Sequence, residues 1–223
     1  MSVQATSSET IARQLRTEGR YYDRESDTLT LVYWDAQERA IEALQSGDYD
    51  IVAFRGGYGS GKSILGARQT LEVARDTPIS DNLILAQDAA KGGPTTYKVF
   101  FQELPGENTV PDQGGNPENS PWVTDYNRNK SRLTLTNGAT IRLGSADTWN
   151  RYAGAEFGAV WMDEPSHYGD ELHDLAGMIT TRVGSTDRRR SCGRSPARAT
   201  TPPGRFSRSG RTSTAIPSAS TSR

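Results

Sequence analysis

Apolar positions recur along the chain at two spacings, which predict strands interleaved with helices. After a short strand-like start at residue 29, Ala36, Ala40, Ile41 and Leu44 fall on one face of a helix. Short apolar runs typical of buried strands occupy residues 51–54, 82–86 and 157–162, and helical spacing returns at 61–75, 95–104 and 169–182. This alternation predicts an α/β domain with a mostly parallel sheet and flanking helices.

A β-hairpin is predicted as an insertion in this pattern. Alternating runs at 132–136 and 139–143 flank Asn137-Gly138, the dipeptide favoured in two-residue turns. The preceding stretch, residues 105–121, is rich in Pro, Gly and Asn and predicts a loop long enough to be functional or mobile.

The charge pattern divides the chain at Asp187. Residues 188–223 contain nine Arg and no Asp, Glu or Lys, so the overall net charge of −1 averages a body of −10 and a tail of +9. The tail is rich in Arg, Ser, Thr and Pro and has no apolar periodicity with which to build a core. It is interpreted as a disordered end or as a sequence read out of its original frame, with a basic arm for nucleic acid as the alternative.

These patterns divide the chain into a flexible N-terminal segment (1–28), an α/β domain (29–187) and the basic tail (188–223). No apolar run approaches the ~20 residues of a membrane span, and residues 1–20 are too polar for a signal peptide. Cys192 is the single cysteine, which excludes an internal disulfide and a zinc cluster. We therefore expect a soluble intracellular protein.

A phosphate-binding pattern, G-x-x-x-x-G-K-[ST], follows the apolar run at 51–54 and precedes a predicted helix. Its members are Gly56, Gly57, Tyr58, Gly59, Ser60, Gly61, Lys62 and Ser63. The glycines let backbone N–H groups converge on phosphate oxygens, and the helix N-terminus adds a partial positive charge. Lys62 is expected to reach the β- and γ-phosphates of ATP, and the Ser63 hydroxyl to coordinate Mg²⁺.

An acidic pair, Asp163-Glu164, ends the apolar run at 157–162 and supplies the second half of such a site. Asp163 is predicted to hold Mg²⁺, and Glu164 to orient or deprotonate the attacking water. The two-carboxylate form favours hydrolysis over phosphoryl transfer to a small substrate. The alternative is that both carboxylates cap the next helix.

Other side chains add candidates for binding the base and a metal. The Gln37 amide can pair with an adenine edge and the Trp34 ring can stack on it, the alternative being a core Trp and a solvated Gln. His167 and His173 lie among acidic residues, but their spacing matches no ligand pattern, which favours a solvated helix.

In this order the motifs resemble the ATPase domain of terminase large subunits of tailed viruses, the motors that pump double-stranded DNA into a procapsid. The resemblance covers about residues 30–185 and rests on Gln37, the phosphate loop, the Asn-Gly hairpin, Gly144-Ser145, Arg151-Tyr152-Ala153-Gly154 and Asp163-Glu164-Pro165. It implies a P-loop NTPase-type domain over 29–187 that uses ATP and Mg²⁺, with Gln37 at adenine, Asp163 serving Mg²⁺, and Lys62 and Glu164 as catalytic groups. Implied partners are double-stranded DNA, a portal protein, a small terminase subunit and further copies in a ring, in the cytoplasm of an infected host cell.

Two departures from the family pattern stand out. Tyr58 occupies the position, four residues before the loop Lys, where many members have Arg, so the source of an arginine finger is open between Arg55 and Arg151. No Asp or Glu follows Asp187, so the carboxylates of the family's nuclease domain are missing. The chain is interpreted as a terminase ATPase domain truncated or frame-shifted before its nuclease; a helicase-like P-loop ATPase and a non-catalytic nucleotide- or DNA-binding fragment are the alternatives.

Overall fold

The computed structural model describes residues 8–49, 51–88, 90, 93–152, 154–169, 172, 174–175 and 206–208. The protein is α/β, as predicted, and it divides into two compact units: residues 1–33 with 202–223, and residues 34–201. No helix in the described ranges is long and apolar enough to cross a membrane.

The smaller unit is built by the N-terminal residues and one short piece of the tail. Helix α1 (Ser8–Glu18) precedes strands β1 (Arg20–Asp23) and β2 (Thr28–Leu31), which pair antiparallel, and β8 (Phe206–Arg208) pairs parallel with β2. Within the segment predicted to be flexible (1–28), residues 8–28 contain α1, β1 and the start of β2, and within the tail predicted to be disordered (188–223), residues 206–208 form a strand. Helix α1 was not predicted because its composition is mostly polar. Only Ile11, Gln14 and Leu15 are partly buried in it, and they form a short stripe along the helix. Residues 1–7 and the rest of the tail lie outside the described residues.

The larger unit contains three helices and five strands among its described residues. They are α2 (Asp35–Ser46), α3 (Lys62–Asp76), β3 (Asp81–Ala86), α4 (Gly93–Glu103), β4 (Val123–Asn127), β5 (Arg132–Leu135), β6 (Thr140–Ser145) and β7 (Ala159–Met162). Five of these elements and the hairpin around Asn137-Gly138 confirm the sequence pattern. Of the helix predicted at 169–182, the helical residues described are Leu172, Asp174 and Leu175, and the others lie outside the described residues.

The five-stranded sheet is mixed, whereas the sequence predicts a mostly parallel one. Its order is β4-β5-β6-β3-β7, with β3 parallel to β6 and β7, and with β5 antiparallel to both β4 and β6. The hairpin is therefore part of the main sheet rather than an insertion, because β6 pairs directly with β3. Strand β4 was not predicted, since Val-Thr-Asp-Tyr-Asn shows no apolar alternation.

The prediction of a buried strand at 51–54 is wrong. Residues 51–57 have no regular secondary structure, Ile51 is 43% exposed and Ala53 is also exposed. A strand needs a neighbour that completes its backbone hydrogen bonds, and no described strand pairs with this segment. Composition alone could not reveal that missing partner.

Helices α3 and α4 pack on one face of the sheet, and the short turns after β6 and β7 cover the other. Gly66 in α3 lies so close to Trp161 in β7 that a β-carbon there would overlap the indole ring. On the opposite face, Leu83 and Leu85 pack with Phe157, Tyr168 and other apolar side chains. The close approach at Gly66 brings the first turn of α3 to the carboxyl end of β7.

Candidate nucleotide-binding site

The glycine-rich part of the phosphate-binding pattern ends at Gly61, directly before α3. Gly61 has a conformation that only glycine adopts easily. Gly61 has φ +74°, and a β-carbon there would lie 2.7 Å from Nε2 of Gln37. Lys62 opens α3, and its Nζ donates to the carbonyl oxygens of Gly56 (3.0 Å) and Gly57 (3.3 Å). The loop thus folds back around the ammonium group of its own lysine.

Hydrogen-bond donors remain available at the inner side of this loop. The Leu65 N–H donates to the Gly61 carbonyl, so the earlier N–H groups of α3 have no partner within the helix, and no side chain caps it. The Ser60 Oγ is buried and has no hydrogen-bond partner in the described part of the chain. Such unfilled donors at a helix N-terminus fit an anion such as phosphate.

Asp163 meets this loop from the end of β7 and is almost fully buried, with 7% of its surface exposed. Its Oδ1 accepts a hydrogen bond from the Ser63 Oγ at 3.0 Å, although the two residues are 100 positions apart. Its Oδ2 accepts from the Thr96 Oγ1 at 2.8 Å, and its N–H donates to the Leu85 carbonyl at 3.0 Å. The structure therefore brings the two predicted metal-binding residues together and adds Thr96, which the sequence did not indicate.

Glu164, the next residue, is held quite differently. Its backbone is left-handed (φ 49°, ψ 52°), although glutamate disfavours this region and the following Pro165 favours an extended conformation. Its half-exposed side chain places Oε1 3.6 Å from Nζ of Lys62. Strained backbone of this kind persists where the surroundings impose it and clusters at functional sites.

The donor set fits a magnesium ion that is bound together with a nucleotide. Ser63 and Asp163 offer one hydroxyl and one carboxylate, and no group of three or more His, Cys, Asp or Glu able to hold a metal occurs among the described residues. Mg²⁺ is commonly held by one or two protein groups, with phosphates and water completing its coordination. Ser63 and Asp163 are the residues that would hold it.

Gln37 and Trp34 also lie beside the loop. The Gln37 side chain is buried, its Oε1 accepts from the Trp34 N–H at 3.2 Å, and its Nε2 donates to the Gly61 carbonyl at 3.2 Å. Both ends of the amide are thus used to connect the start of α2 to the loop, while the Trp34 ring is 65% exposed. A contact of either residue with adenine stays a prediction.

The candidates for an arginine finger lie at the protein surface. Arg55, Tyr58 and Arg151 are all exposed, and Tyr58 is fully so. His167 lies in a 3-10 turn after Glu164, and His173 is outside the described residues. The arginine finger therefore stays a prediction.

Two tyrosines that the sequence did not indicate tie down the neighbouring strand ends. The Tyr168 hydroxyl donates to the Leu85 carbonyl at 2.6 Å, and the Tyr97 hydroxyl donates to the Gly144 carbonyl at 2.5 Å. Burial raises the pKa of both phenols, so they remain neutral donors at physiological pH. The carboxyl ends of β3 and β6 are fixed in this way beside the site.

Comparisons with protein-family models, with curated proteins and with solved structures give no match for this chain. Support for a function therefore comes from the geometry of the loop and the acidic pair.

Proposed function

We propose that this protein binds ATP with Mg²⁺ at the loop of residues 56–63 and hydrolyses it, as the ATPase domain of a DNA-translocating motor of the terminase large-subunit type. One observation carries the enzymatic part. Two residues of the loop, Lys62 and Ser63, lie 3.6 Å and 3.0 Å from Glu164 and Asp163, a pair about 100 positions away in the sequence. P-loop NTPases use such a lysine and hydroxyl for the phosphates and Mg²⁺, together with an Asp that holds Mg²⁺ and a group that orients the attacking water.

Each group has a chemical role in this proposal. Lys62 leaves the carbonyls of Gly56 and Gly57 for the β- and γ-phosphates, which the free N–H groups of α3 also bind. Ser63 and Asp163 would hold Mg²⁺, which would neutralise the charge that develops on the phosphates. Glu164 lies beside Lys62, where its carboxylate orients the attacking water and accepts its proton.

The motor part of the proposal rests on the order of the motifs and on one basic turn. Arg128 and Lys130 lie in the exposed turn after β4. Since β4 is antiparallel to β5, which is antiparallel to β6, this turn lies at the same sheet edge as Asp163. Four strand spacings separate β4 from β7, or about 19 Å. DNA phosphates bound at the turn would then be close to the nucleotide.

The remaining parts of this proposal follow from the terminase type. The partners are double-stranded DNA, a portal protein and a small terminase subunit, and further copies assemble into a ring in the cytoplasm of an infected host cell. A helicase-like ATPase is the alternative, and separation of a DNA duplex without any procapsid would favour it.

The test of hydrolysis compares wild-type protein with Lys62→Ala and Glu164→Gln in a phosphate-release assay. We expect each substitution to reduce turnover by about 100-fold or more, because each removes a group that acts on the transition state. Lys98→Ala is the control, since Lys98 lies in α4 and belongs to no part of the site. Unchanged turnover in both site variants would show that the site is assigned wrongly.

Lysine footprinting tests nucleotide and DNA binding separately. The chain has only four lysines, Lys62, Lys91, Lys98 and Lys130, so acetylation can be followed at each by mass spectrometry. We expect MgATP to protect Lys62 and a random 30-base-pair duplex (roughly three helical turns) to protect Lys130, with Lys98 unaffected. Protection of Lys62 without hydrolysis would identify a non-catalytic nucleotide-binding fragment instead.

A further inference from the structure

Thr96 occupies a position that the assignment of the site does not explain. It lies in the first turn of α4, only 4% exposed, and its hydroxyl donates to Oδ2 of Asp163 at 2.8 Å. Ser63 donates to the other oxygen, Oδ1, from the first turn of α3. The carboxylate is therefore held between two hydroxyl groups on two different helices.

Helix α4 is fixed by contacts that do not involve Thr96. The Tyr97 hydroxyl bonds to the Gly144 carbonyl, and at the far end of the helix Glu103 forms a buried ion pair with Arg68 of α3 at 2.8 Å. Phe100 between them is completely buried. The hydroxyl of Thr96 is thus presented to Asp163 by a helix that Tyr97, Phe100 and Glu103 hold in place.

A hydrogen bond to Oδ2 changes what the carboxylate can do. The terminal torsion of an aspartate is soft, so an unrestrained carboxylate can turn both oxygens toward one cation. Calcium accepts such bidentate ligands at 2.3–2.6 Å, whereas Mg²⁺ needs near-octahedral geometry with single oxygens at about 2.0–2.1 Å. With Oδ2 bonded to Thr96 and Oδ1 bonded to Ser63, the Asp163 carboxylate is held in one orientation, with Oδ1 on the side of Ser63.

We propose that Thr96 is a positioning residue that makes the nucleotide site selective for Mg²⁺ over Ca²⁺ by preventing the Asp163 carboxylate from turning both oxygens toward one cation. This inference rests on the proposed function, because it concerns the cation that accompanies the nucleotide. It goes further in assigning the choice of cation to a residue outside both motifs.

The experiment measures the affinity for a fluorescent ATP analogue at a series of Mg²⁺ and Ca²⁺ concentrations, with no hydrolysis required. Thr96→Val keeps the shape of the side chain but removes the donor, and Thr96→Ser keeps the donor. Thr95→Val is the matched control, because Thr95 is the exposed neighbour in the same helical turn. Thermal unfolding of every variant is recorded beside the binding curves.

We expect Thr96→Val to weaken Mg²⁺-supported binding by up to about tenfold, because binding would then have to order a carboxylate that can turn. Ca²⁺-supported binding should change less, so the Mg²⁺/Ca²⁺ affinity ratio falls. Thr96→Ser and Thr95→Val should keep the wild-type ratio. Should Thr96→Val fail to fold, Thr96→Cys, whose thiol is a weak donor, should change the ratio in the same direction.

An unchanged ratio in a folded Thr96→Val or Thr96→Cys variant would overturn the proposal, even if the melting temperature had dropped, because a merely structural role moves stability alone. The proposed function fails in a different way: wild-type protein would then bind the nucleotide with neither cation. The two failures are read from different curves of the same experiment.

Discussion

The two chain segments that meet at the candidate site are held in opposite ways. The segment before α3, residues 51–61, contains most of the loop of residues 56–63. It belongs to no described strand, and its Ile51 is 43% exposed. Strand β7, in contrast, pairs with β3 and is followed directly by Asp163, whose carboxylate and N–H make three hydrogen bonds. One half of the site is exposed and the other half is fixed.

This difference indicates how work is divided within the site. The group that would hold the cation lies in a buried network, while the groups that would meet the phosphates and the water, Lys62 and Glu164, are partly exposed. Parts of a protein that must move during binding come from its less stable regions. In the proposed function, the buried network around Asp163 would set the position of the cation, and the partly exposed Lys62 and Glu164 would rearrange around a ligand.

The largest loss of stability is expected from breaking the ion pair between Arg68 in α3 and Glu103 in α4. These two helices carry Ser63 and Thr96, which hold the Asp163 carboxylate. The two side chains of the pair are only 4% and 9% exposed, so Glu103→Gln removes a buried counter-charge of Arg68. We expect the free energy of unfolding to fall by about 3–5 kcal/mol, measured by urea denaturation followed by circular dichroism.

The exposed ion pair between Arg128 and Asp112 provides the control for that experiment. Its atoms are 4.0 Å apart and its side chains are 76% and 58% exposed, so Asp112→Asn should change stability by less than about 1 kcal/mol. Similar losses in the two variants would mean that burial of the α3–α4 contact contributes nothing special.

A smaller loss of stability is expected from Gly61→Ala, at the end of the glycine loop. The substitution places a β-carbon in left-handed backbone (φ +74°) and 2.7 Å from the Gln37 amide, so we expect a loss of about 1–2 kcal/mol and weaker nucleotide binding. Gly57→Ala is the matched control, since a β-carbon there meets no atom within 4 Å. Equal melting temperatures for the two variants would contradict this account.

The smallest effect, and one of opposite sign, is expected from Glu164→Asn. Asparagine tolerates left-handed backbone better than glutamate, so the variant should gain roughly 0.5–1 kcal/mol of stability while losing hydrolysis. Glu164→Gln, which keeps a long side chain and therefore the strain, should lose hydrolysis without that gain. Differential scanning calorimetry distinguishes the two, and a lower melting temperature for Glu164→Asn would show that the backbone there is not strained.

Local signals explain what the sequence could predict. The Asn137-Gly138 turn, the glycine loop before α3 and the helix α2 each depend on neighbouring residues, and the structure has all three. Their chemistry lies within a few positions of the chain. Of the predicted apolar face of α2, Ala40 and Ile41 are buried, whereas Ala36 and Leu44 are exposed.

Distant partners explain what the sequence missed. The apolar run at 51–54 predicts a strand that the structure does not have, because apolar composition does not show whether a neighbouring strand exists to pair with it. Thr96 could not be assigned to Asp163, because the contact joins residues 67 positions apart. The structure makes this contact because α4 follows β3, whose carboxyl end lies beside that of β7, where the acidic pair begins.

The exposed Trp34 gives the protein an optical reporter of its own. Among the four tryptophans, Trp122 is 1% exposed, and Trp149 and Trp161 are partly buried, so an aqueous quencher such as iodide acts mainly on Trp34. The peptide group of Trp34 is joined to Gly61 through the Gln37 amide. Iodide quenching of intrinsic fluorescence can therefore follow rearrangement of the phosphate loop in unlabelled protein.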